Sequence, residues 1–462
     1  MNLKAPELLL PAGSLQRMRA AYDFGADAVY AGQPRYSLRA RNNEFRLEQL
    51  AQGIEEAHRR GKKFFVTSNL IAHNDKLRTY LRDLEPVVAL KPDALIMADA
   101  GLIMLVREQM EKGLWPEVPI HLSVQANTTN NAAVKFWQKQ GIARIILSRE
   151  LSLDEVAAIR DDCPDVELEV FVHGALCIAY SGRCLLSGYF NRRDPNQGTC
   201  TNACRWQYQA LQGTTDTSTG EAIPAQRLDS DFSFAQETEA AAMAATPTCG
   251  GGQRHPQADQ VWLLEEKERP GELMPIMEDE HGTYILNSKD LRAVEHVASL
   301  TQLGIDSLKI EGRTKSHYYV ARTAQVYRRA IDDAVAGKPF NPELLLELEG
   351  LSNRGYTGGL LERRPSQTYQ NYLNGSSSAQ RSQFVGEVRT VRHDGWAEVE
   401  TMNRFAVGDR LEIIHPSGNR VVQLDAMRNQ AGEAIQVAQG SPIRVWVPLA
   451  APCEGALIAR LL

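Results

Sequence analysis

Four cysteines, Cys177, Cys184, Cys200 and Cys204, stand in the spacing C-x6-C-x15-C-x3-C. The other three of the seven in the chain, Cys163, Cys249 and Cys453, are scattered. Thiols clustered this way in an intracellular chain point to metal rather than to a disulfide framework. Four thiolates suit zinc or an iron–sulfur cluster, both of which accept soft sulfur donors. Structural zinc sites use tight cysteine pairs, and only Cys200 and Cys204 are so spaced. The wide first spacing favours an iron–sulfur cluster held by a folded loop, with Gly174, Gly182, Gly188 and Gly198 letting the backbone wrap closely. Arg183, Arg192, Arg193 and Arg205 flank the ligands and would offset the cluster's negative charge or attract an anion. His173, four residues before Cys177, raises the alternative of a Cys/His nucleophile pair, although a metal-bound thiolate is a poor free nucleophile. The chain contains no G-x-S-x-G elbow, H-E-x-x-H pair or Gly-rich phosphate loop after a strand.

The elements that must position these residues are α/β in character. Apolar runs at Glu7–Leu10, Asp27–Ala31, Lys63–Thr67, Ala94–Met97, Ile120–Val124, Arg144–Leu147 and Leu168–His173 lack strict alternation, as parallel strands buried on both faces should. Segments of helical spacing, such as Leu47–Arg60 and Lys76–Ala89, lie between them. An eighth run, Ser307–Glu311, precedes the helical pattern Tyr318–Ala336; Tyr284–Asn287 competes for its place and is read as part of an insertion. Eight such units predict a TIM-like (β/α)8 barrel over 1–350, with a doubly wound sheet as the alternative. The insertion, 175–282, follows strand seven and carries the cysteines. Its Gly213–Gln260 tract, rich in Thr, Ala, Ser, Gly and Gln, reads as a flexible surface excursion. Residues 351–383 read as a linker. Short alternating strands over 384–462, broken by His393-Asp394-Gly395 and Pro416-Ser417-Gly418-Asn419, predict a small antiparallel β-barrel.

In a TIM barrel the residues just past each strand form the active rim. Here they are Pro11-Ala12-Gly13, Gly32-Gln33, Ser68-Asn69, Asp99, Gln125 and Asn127, Ser148-Arg149-Glu150, His173-Gly174 and Glu311-Gly312-Arg313. Single polar residues at strand ends are ordinary turn formers, but eight such ends converge on one rim. His173 and Glu311 are the candidates for proton transfer; Arg149, Arg183, Lys309, Arg313 and Lys315 are candidates for binding an anionic co-substrate. Arg35-Tyr36-Ser37-Leu38-Arg39-Ala40-Arg41 combines charge with an aromatic ring and could contact RNA, or could be a solvated basic loop.

With 43% hydrophobic and 23% charged residues, the chain has the composition of a water-soluble globular protein. A formal charge of −6 excludes a globally basic nucleic-acid binder but not a local patch. The apolar run Leu8-Leu9-Leu10 is too short for a signal peptide, and no stretch reaches the ~18 apolar residues of a membrane span. A cytoplasmic protein without membrane contact is expected; the oligomeric state stays open.

The segment Glu169–Ser187, with Glu-x-Phe-x2-Gly-Ala-Leu-Cys-x6-Cys-Leu-Leu-Ser, resembles the signature of peptidase family U32, the collagenase-like proteases. Ser187–Asn191, Asp194–Gly198, Cys200–Trp206, Asp306–Lys315, Gly355–Gly359 and Glu362–Gln367 resemble the branch of that family that hydroxylates the wobble uridine of bacterial tRNA. The resemblance covers nearly the whole chain apart from Gly213–Gln260. It implies oxygen-independent conversion of uridine to 5-hydroxyuridine in a tRNA anticodon loop. It further implies an iron–sulfur cluster, of the 4Fe–4S type, and prephenate as a small anionic hydroxyl source. Cys177, Cys184, Cys200 and Cys204 would be the cluster ligands, with Cys249 the alternative for the fourth. Rival readings are a U32-type peptidase, hydroxylation of another substrate such as ribosomal RNA, and an RNA-binding adaptor acting through its C-terminal region.

Overall fold

The computed structural model describes residues 3–33, 35–37, 44–175, 289–353, 355–362, 382–440 and 442–462, together with the backbone of short strands at 179–180, 183–184, 208–215, 222–227, 262–266, 273–279 and 282–284. Strands β1 (Glu7–Pro11), β2 (Ala28–Gly32), β3 (Lys63–Ser68), β4 (Ala94–Met97), β5 (Ile120–Leu122), β6 (Arg144–Ile146), β7 (Glu167–Ala175) and β8 (Ser307–Ile310) pair in parallel, each with the next. β8 also pairs with β1, Glu7 opposite Ser307, and closes the ring. The TIM-like barrel is therefore observed, and the doubly wound sheet is excluded by that closure.

Helices α1 (Leu15–Asp23), α2 (Leu47–Arg59), α3 (Asn74–Ala89), α4 (Ala100–Glu111), α5 (Asn131–Lys139), α6 (Leu153–Asp162), α7 (Val297–Gln302) and α8 (His317–Val335) surround it. Their starts are written locally. Asp99 caps α4 by accepting from the Leu102 N–H at 3.0 Å, Ser152 and Glu155 form a capping box on α6, and Ser316 accepts from the Tyr319 N–H at 3.2 Å. Leu8, Leu9, Leu10, Val29 and Val66 are fully buried because strand faces meet helices outside and side chains within. Each such side chain stabilises the fold by roughly 1.5–3 kcal/mol.

The cysteine-bearing stretch leaves and returns at one point. The short strand Asp290–Arg292 runs antiparallel to the end of β7, Asp290 opposite Ala175, and pairs in parallel with Tyr356–Thr357. Re-entry is thus at Asp290 rather than 282, fixed by backbone pairing that the sequence does not advertise. Within the stretch, Tyr208–Thr215 and Ala222–Arg227 form a hairpin in a five-stranded antiparallel sheet. Part of the Gly213–Gln260 tract is thus paired strand. The hairpin residues from 213 on, Gly-Thr-Thr and Ala-Ile-Pro-Ala-Gln-Arg, have no consistently apolar side to reveal a strand. The rest of the tract, with Cys249, lies outside the described residues. The linker reading is also corrected in part. Tyr356–Thr357 is a strand, and the Leu361 side chain joins the barrel core while its carbonyl accepts from Leu153 N–H at 3.0 Å.

The C-terminal region is a six-stranded antiparallel half-barrel in the spatial order Arg420–Gln423, Arg410–Ile414, Leu457–Leu461, Ser382–Val391, Trp396–Thr401, Arg444–Pro448. Its fifth and sixth strands follow the alternation seen in the sequence, while the fourth is broken by two register shifts; Leu457–Leu461, in the middle of the sheet, had no such signal. Ile414, Leu457 and Ala459 pack into the barrel core, Arg322 of α8 pairs with Glu412 at 2.8 Å, and Tyr318 stacks on Phe384.

Candidate active site

The barrel interior begins with charge. Arg144, at the start of β6, contacts Glu7 of β1, Glu167 at 2.7 Å and Glu169 at 3.2 Å, and Glu169 holds the Lys309 ammonium at 2.7 Å. Glu169 is fully buried, and Arg144 and Lys309 are each 3% exposed. Charges this deep are tolerable only when paired. Burial opposes the charge on Arg144, but Glu169 and Glu7 more than offset it and hold its pKa above the ordinary range. Desolvation pulls Lys309 below its ordinary value although Glu169 works the other way. The nearby His121 is driven well below the usual imidazole value by burial and by Arg144. Lys309 is therefore not on the rim as expected from its position near the end of an apolar run. It points inward, 4.4 Å from the Tyr30 ring centre and 5.5 Å from that of Phe171.

Those two rings separate the charged floor from the mouth. Above Phe171 lies the Arg149 guanidinium, 4.0 Å from the ring centre, and its Nη1 donates to the Ala175 carbonyl at 3.0 Å. Arg313 lies 6.0 Å from the Tyr30 ring centre and donates to Thr67 Oγ1 at 2.9 Å. Tyr30 donates its hydroxyl to the Ile310 carbonyl at 2.9 Å and approaches Glu311 Oε2 at 3.4 Å. The mouth therefore gathers Arg149, Glu311 and Arg313 around Tyr30, Thr67 and Phe171. Tyr30 and Thr67 were not among the sequence candidates. Their signal was alternation: each stands two residues from another inward position on its strand. Lys315 lies further out, its ammonium 3.4 Å from the Ser352 carbonyl.

His173 does not face this mouth. A β-bulge between Lys309 and Ile310 puts Ile310 opposite His173 and skips Val172. The bulge turns the imidazole outward onto α8, among Tyr319, Tyr327 and Tyr356 at 5.4–5.8 Å between ring centres. Its Nδ1 is 3.3 Å from the Tyr327 hydroxyl, and burial, reinforced by Arg292 and Lys315, lowers its pKa to about 3. A neutral, aromatic-packed histidine is not placed to move a proton at the mouth; of the two candidates, only Glu311 is there. Gly174, next in the chain, has φ +106, and a Cβ on it would meet the Glu311 carbonyl at 2.5 Å. That glycine is required by the close approach of β7 to β8.

Other strand ends are structural. Gln33 donates to Ser68 at 2.6 Å, Ser68 meets the Tyr80 hydroxyl at 2.8 Å, Asp99 caps a helix, and Ser148 bonds Glu150. Arg35, its side chain 69% exposed, pairs with Asp83 at 2.8 Å, and Tyr36 is buried against Tyr80; Leu38 to Arg41 lie outside the described residues. The side chains of Cys177, Arg183, Cys184, Cys200 and Cys204 also lie outside the described residues. Their loop leaves the rim at Ala175, whose carbonyl Arg149 holds. Cys163 and Cys453 are buried single thiols. Among the described residues no helix is long and apolar enough to cross a membrane.

A closed (β/α)8 barrel with a cationic, aromatic-floored mouth and a half-barrel docked on its last helix defines an α/β-barrel enzyme fold. The chain belongs to peptidase family U32: residues 13–371 match the model "Peptidase family U32" and residues 380–460 match "Peptidase family U32 C-terminal domain". It is 57% identical over 449 residues to "tRNA hydroxylation protein P" of Escherichia coli (strain K12), covering 96% of this chain and 94% of that one. The Haemophilus influenzae protein of the same name is 57% identical over 436 residues, covering 94% and 91%. "tRNA hydroxylation protein P1" of Bacillus subtilis (strain 168) is 34% identical over 423 residues, covering 89% and 84%.

Proposed function

We propose that the chain hydroxylates the wobble uridine of tRNA to 5-hydroxyuridine, with a small dicarboxylate, prephenate, as hydroxyl source. The observation that carries the proposal is the placement of Arg149. It lies on Phe171 at the mouth and grips the Ala175 carbonyl from which the cysteine loop departs. One side chain thereby links the anion-binding mouth to the root of the metal loop. The relatives named for tRNA hydroxylation supply the substrate class.

The donor set suits an iron–sulfur cluster: Cys177, Cys184, Cys200 and Cys204 would hold it, with Cys249 the alternative to Cys204. When bound, such a cluster would supply redox and Lewis-acid chemistry. The chain's own residues do the rest. Arg149 and Arg313 clamp the carboxylates of the co-substrate through charge-assisted hydrogen bonds. Phe171 lies under the Arg149 guanidinium, and Thr67 holds Arg313 beside Tyr30. The exchange balances as C5–H plus donor C–OH giving C5–OH plus donor C–H. The C5–H and donor C–O bonds break, the C5–O bond forms, and the donor carbon keeps an electron pair and is reduced. Glu311, 3.4 Å from the Tyr30 hydroxyl, carries the C5 proton toward the donor carbon. The base comes from an anticodon loop, already single-stranded, so bringing it out of its stack costs little.

The test is purification under anaerobic conditions followed by reaction with unmodified tRNA. Visible absorbance with bound iron and sulfide that vanish in Cys177→Ala, and 5-hydroxyuridine formed only when prephenate is supplied, are expected. A colourless protein carrying zinc, or hydroxylation indifferent to prephenate, would overturn the corresponding part.

A further inference from the structure

Two arginines on the half-barrel are held in an unusual way. Arg392 lies with its guanidinium carbon 3.6 Å from the ring centre of Trp446, and Arg428 lies 4.3 Å from that of Trp396. Both arginines are exposed and both tryptophans are half-buried. Neighbouring cations on the same sheet are neutralised: Arg389 bonds Glu387 and Glu400, and Arg444 pairs with Glu398 at 3.3 Å. Arg392 and Arg428 have no carboxylate partner among the described residues. Both stay exposed while their guanidinium carbons lie over indole rings. Every cationic side chain from 382 to 462 is arginine, the residue whose planar fork both stacks and grips phosphate in pairs.

The two stacks share one face. Glu398 stands opposite Trp446, and Trp396, Glu398 and Glu400 alternate with the buried Ala397 and Val399. Glu400 stands opposite Glu387, which reaches His317 at 3.5 Å. His317 is the first residue of α8, just past the Glu311–Arg313 rim. One sheet face therefore runs from the barrel's rim-side seam to the Arg–Trp stacks, roughly 13 Å beyond Glu400 at strand rise.

We propose that this face, Arg392 on Trp446 and Arg428 on Trp396, is a docking surface for an RNA strand: the part of the substrate tRNA lying outside the base that enters the barrel mouth. The inference rests on the tRNA reading given above. Stacked guanidiniums offer both a plane for an unpaired base and donors for backbone phosphates, and proteins that hold single strands use these contacts together. The overall negative charge of the chain does not oppose this, because phosphate contact depends on the local cations.

The test uses the full chain. The Arg392→Gln/Arg428→Gln double variant is compared with the parent in fluorescence-anisotropy titrations of unmodified tRNA over a series of salt concentrations. The variant is expected to bind at least about tenfold more weakly, with a slope of log K against log salt shallower by about 2 if both arginines meet phosphates. A matching melting temperature shows that the fold is kept. Trp446→Leu is the second variant and is expected to weaken binding by removing the platform under Arg392. Equal affinity and equal salt slope in the parent and in both variants would overturn the docking surface while leaving the hydroxylation reading intact. Failure of the parent to bind tRNA would overturn the substrate reading itself.

Discussion

The floor and the mouth of the barrel are built from the same residue types and treat them in opposite ways. On the floor, Arg144 and Lys309 each have a carboxylate within 3.2 Å, and Glu169 serves both. At the mouth, Arg149 has no carboxylate partner among the described residues; it rests on Phe171 and bonds a backbone carbonyl. Buried charge without a partner is costly, so the floor network belongs to the fold. Charge kept on an aromatic face at an opening remains able to meet an anion from outside. Pairing, rather than residue type, is what differs between floor and mouth.

The sharpest way to break that contrast is Glu169→Ala. It leaves Lys309 in the interior without its carboxylate and takes one of three from Arg144, and a loss of about 3–5 kcal/mol in denaturant unfolding is expected. Converting both Glu169 and Lys309 to Met should recover much of it, since an apolar pair replaces a paired charge. A Glu169→Ala variant of unchanged stability would show that the floor is not the structural half of the comparison. Arg149→Met should do the reverse. It keeps the contact with Phe171, so stability should shift by less than ~1 kcal/mol, while kcat/KM for the anionic co-substrate should fall roughly 10–100-fold, the worth of a charged hydrogen bond. Parent-like kinetics with that co-substrate would remove Arg149 from the site.

The His173 wall gives a third, pH-dependent contrast. With a folded pKa of about 3 against an ordinary 6.5, the folded chain refuses a proton that the unfolded chain accepts. Its contribution is complete above pH 6.5 and is lost as pH falls toward 3, by up to ~1.4 kcal/mol per pH unit. His173→Phe should flatten stability against pH in that window, measured by urea unfolding; an unchanged slope would contradict the packed, neutral imidazole. The smallest expected effect is from Tyr30→Phe. Removing hydrogen bonds to the Ile310 carbonyl and Glu311 should cost about 0.5–1.5 kcal/mol and lower turnover more than it raises KM.

The barrel was legible because runs such as Leu8-Leu9-Leu10 and Ala94–Met97 are what strands buried on both faces look like. Arg149, Glu311 and Arg313 were legible as a rim because they follow such runs directly. Lys309 could have been placed correctly: between Leu308 and Ile310, alternation sends it to the opposite side from those two, into the barrel. The direction of His173 could not, because the bulge at Ile310 depends on how two distant strands meet. The pairing of Asp290–Arg292 with β7 was hidden for the same reason; three residues carry no period. The Arg–Trp stacks were hidden because Arg392 and Trp446 are distant in sequence and meet only across the sheet.

The central claim, that this fold hydroxylates tRNA using the loop rooted at Ala175, is tested most directly in cells. Nucleosides of tRNA from a strain lacking every such enzyme are compared by mass spectrometry after return of the parent chain or of Cys177→Ala. The account predicts 5-hydroxyuridine derivatives with the parent and none with Cys177→Ala at equal protein level. The same nucleoside content with both, or none with either, would contradict it.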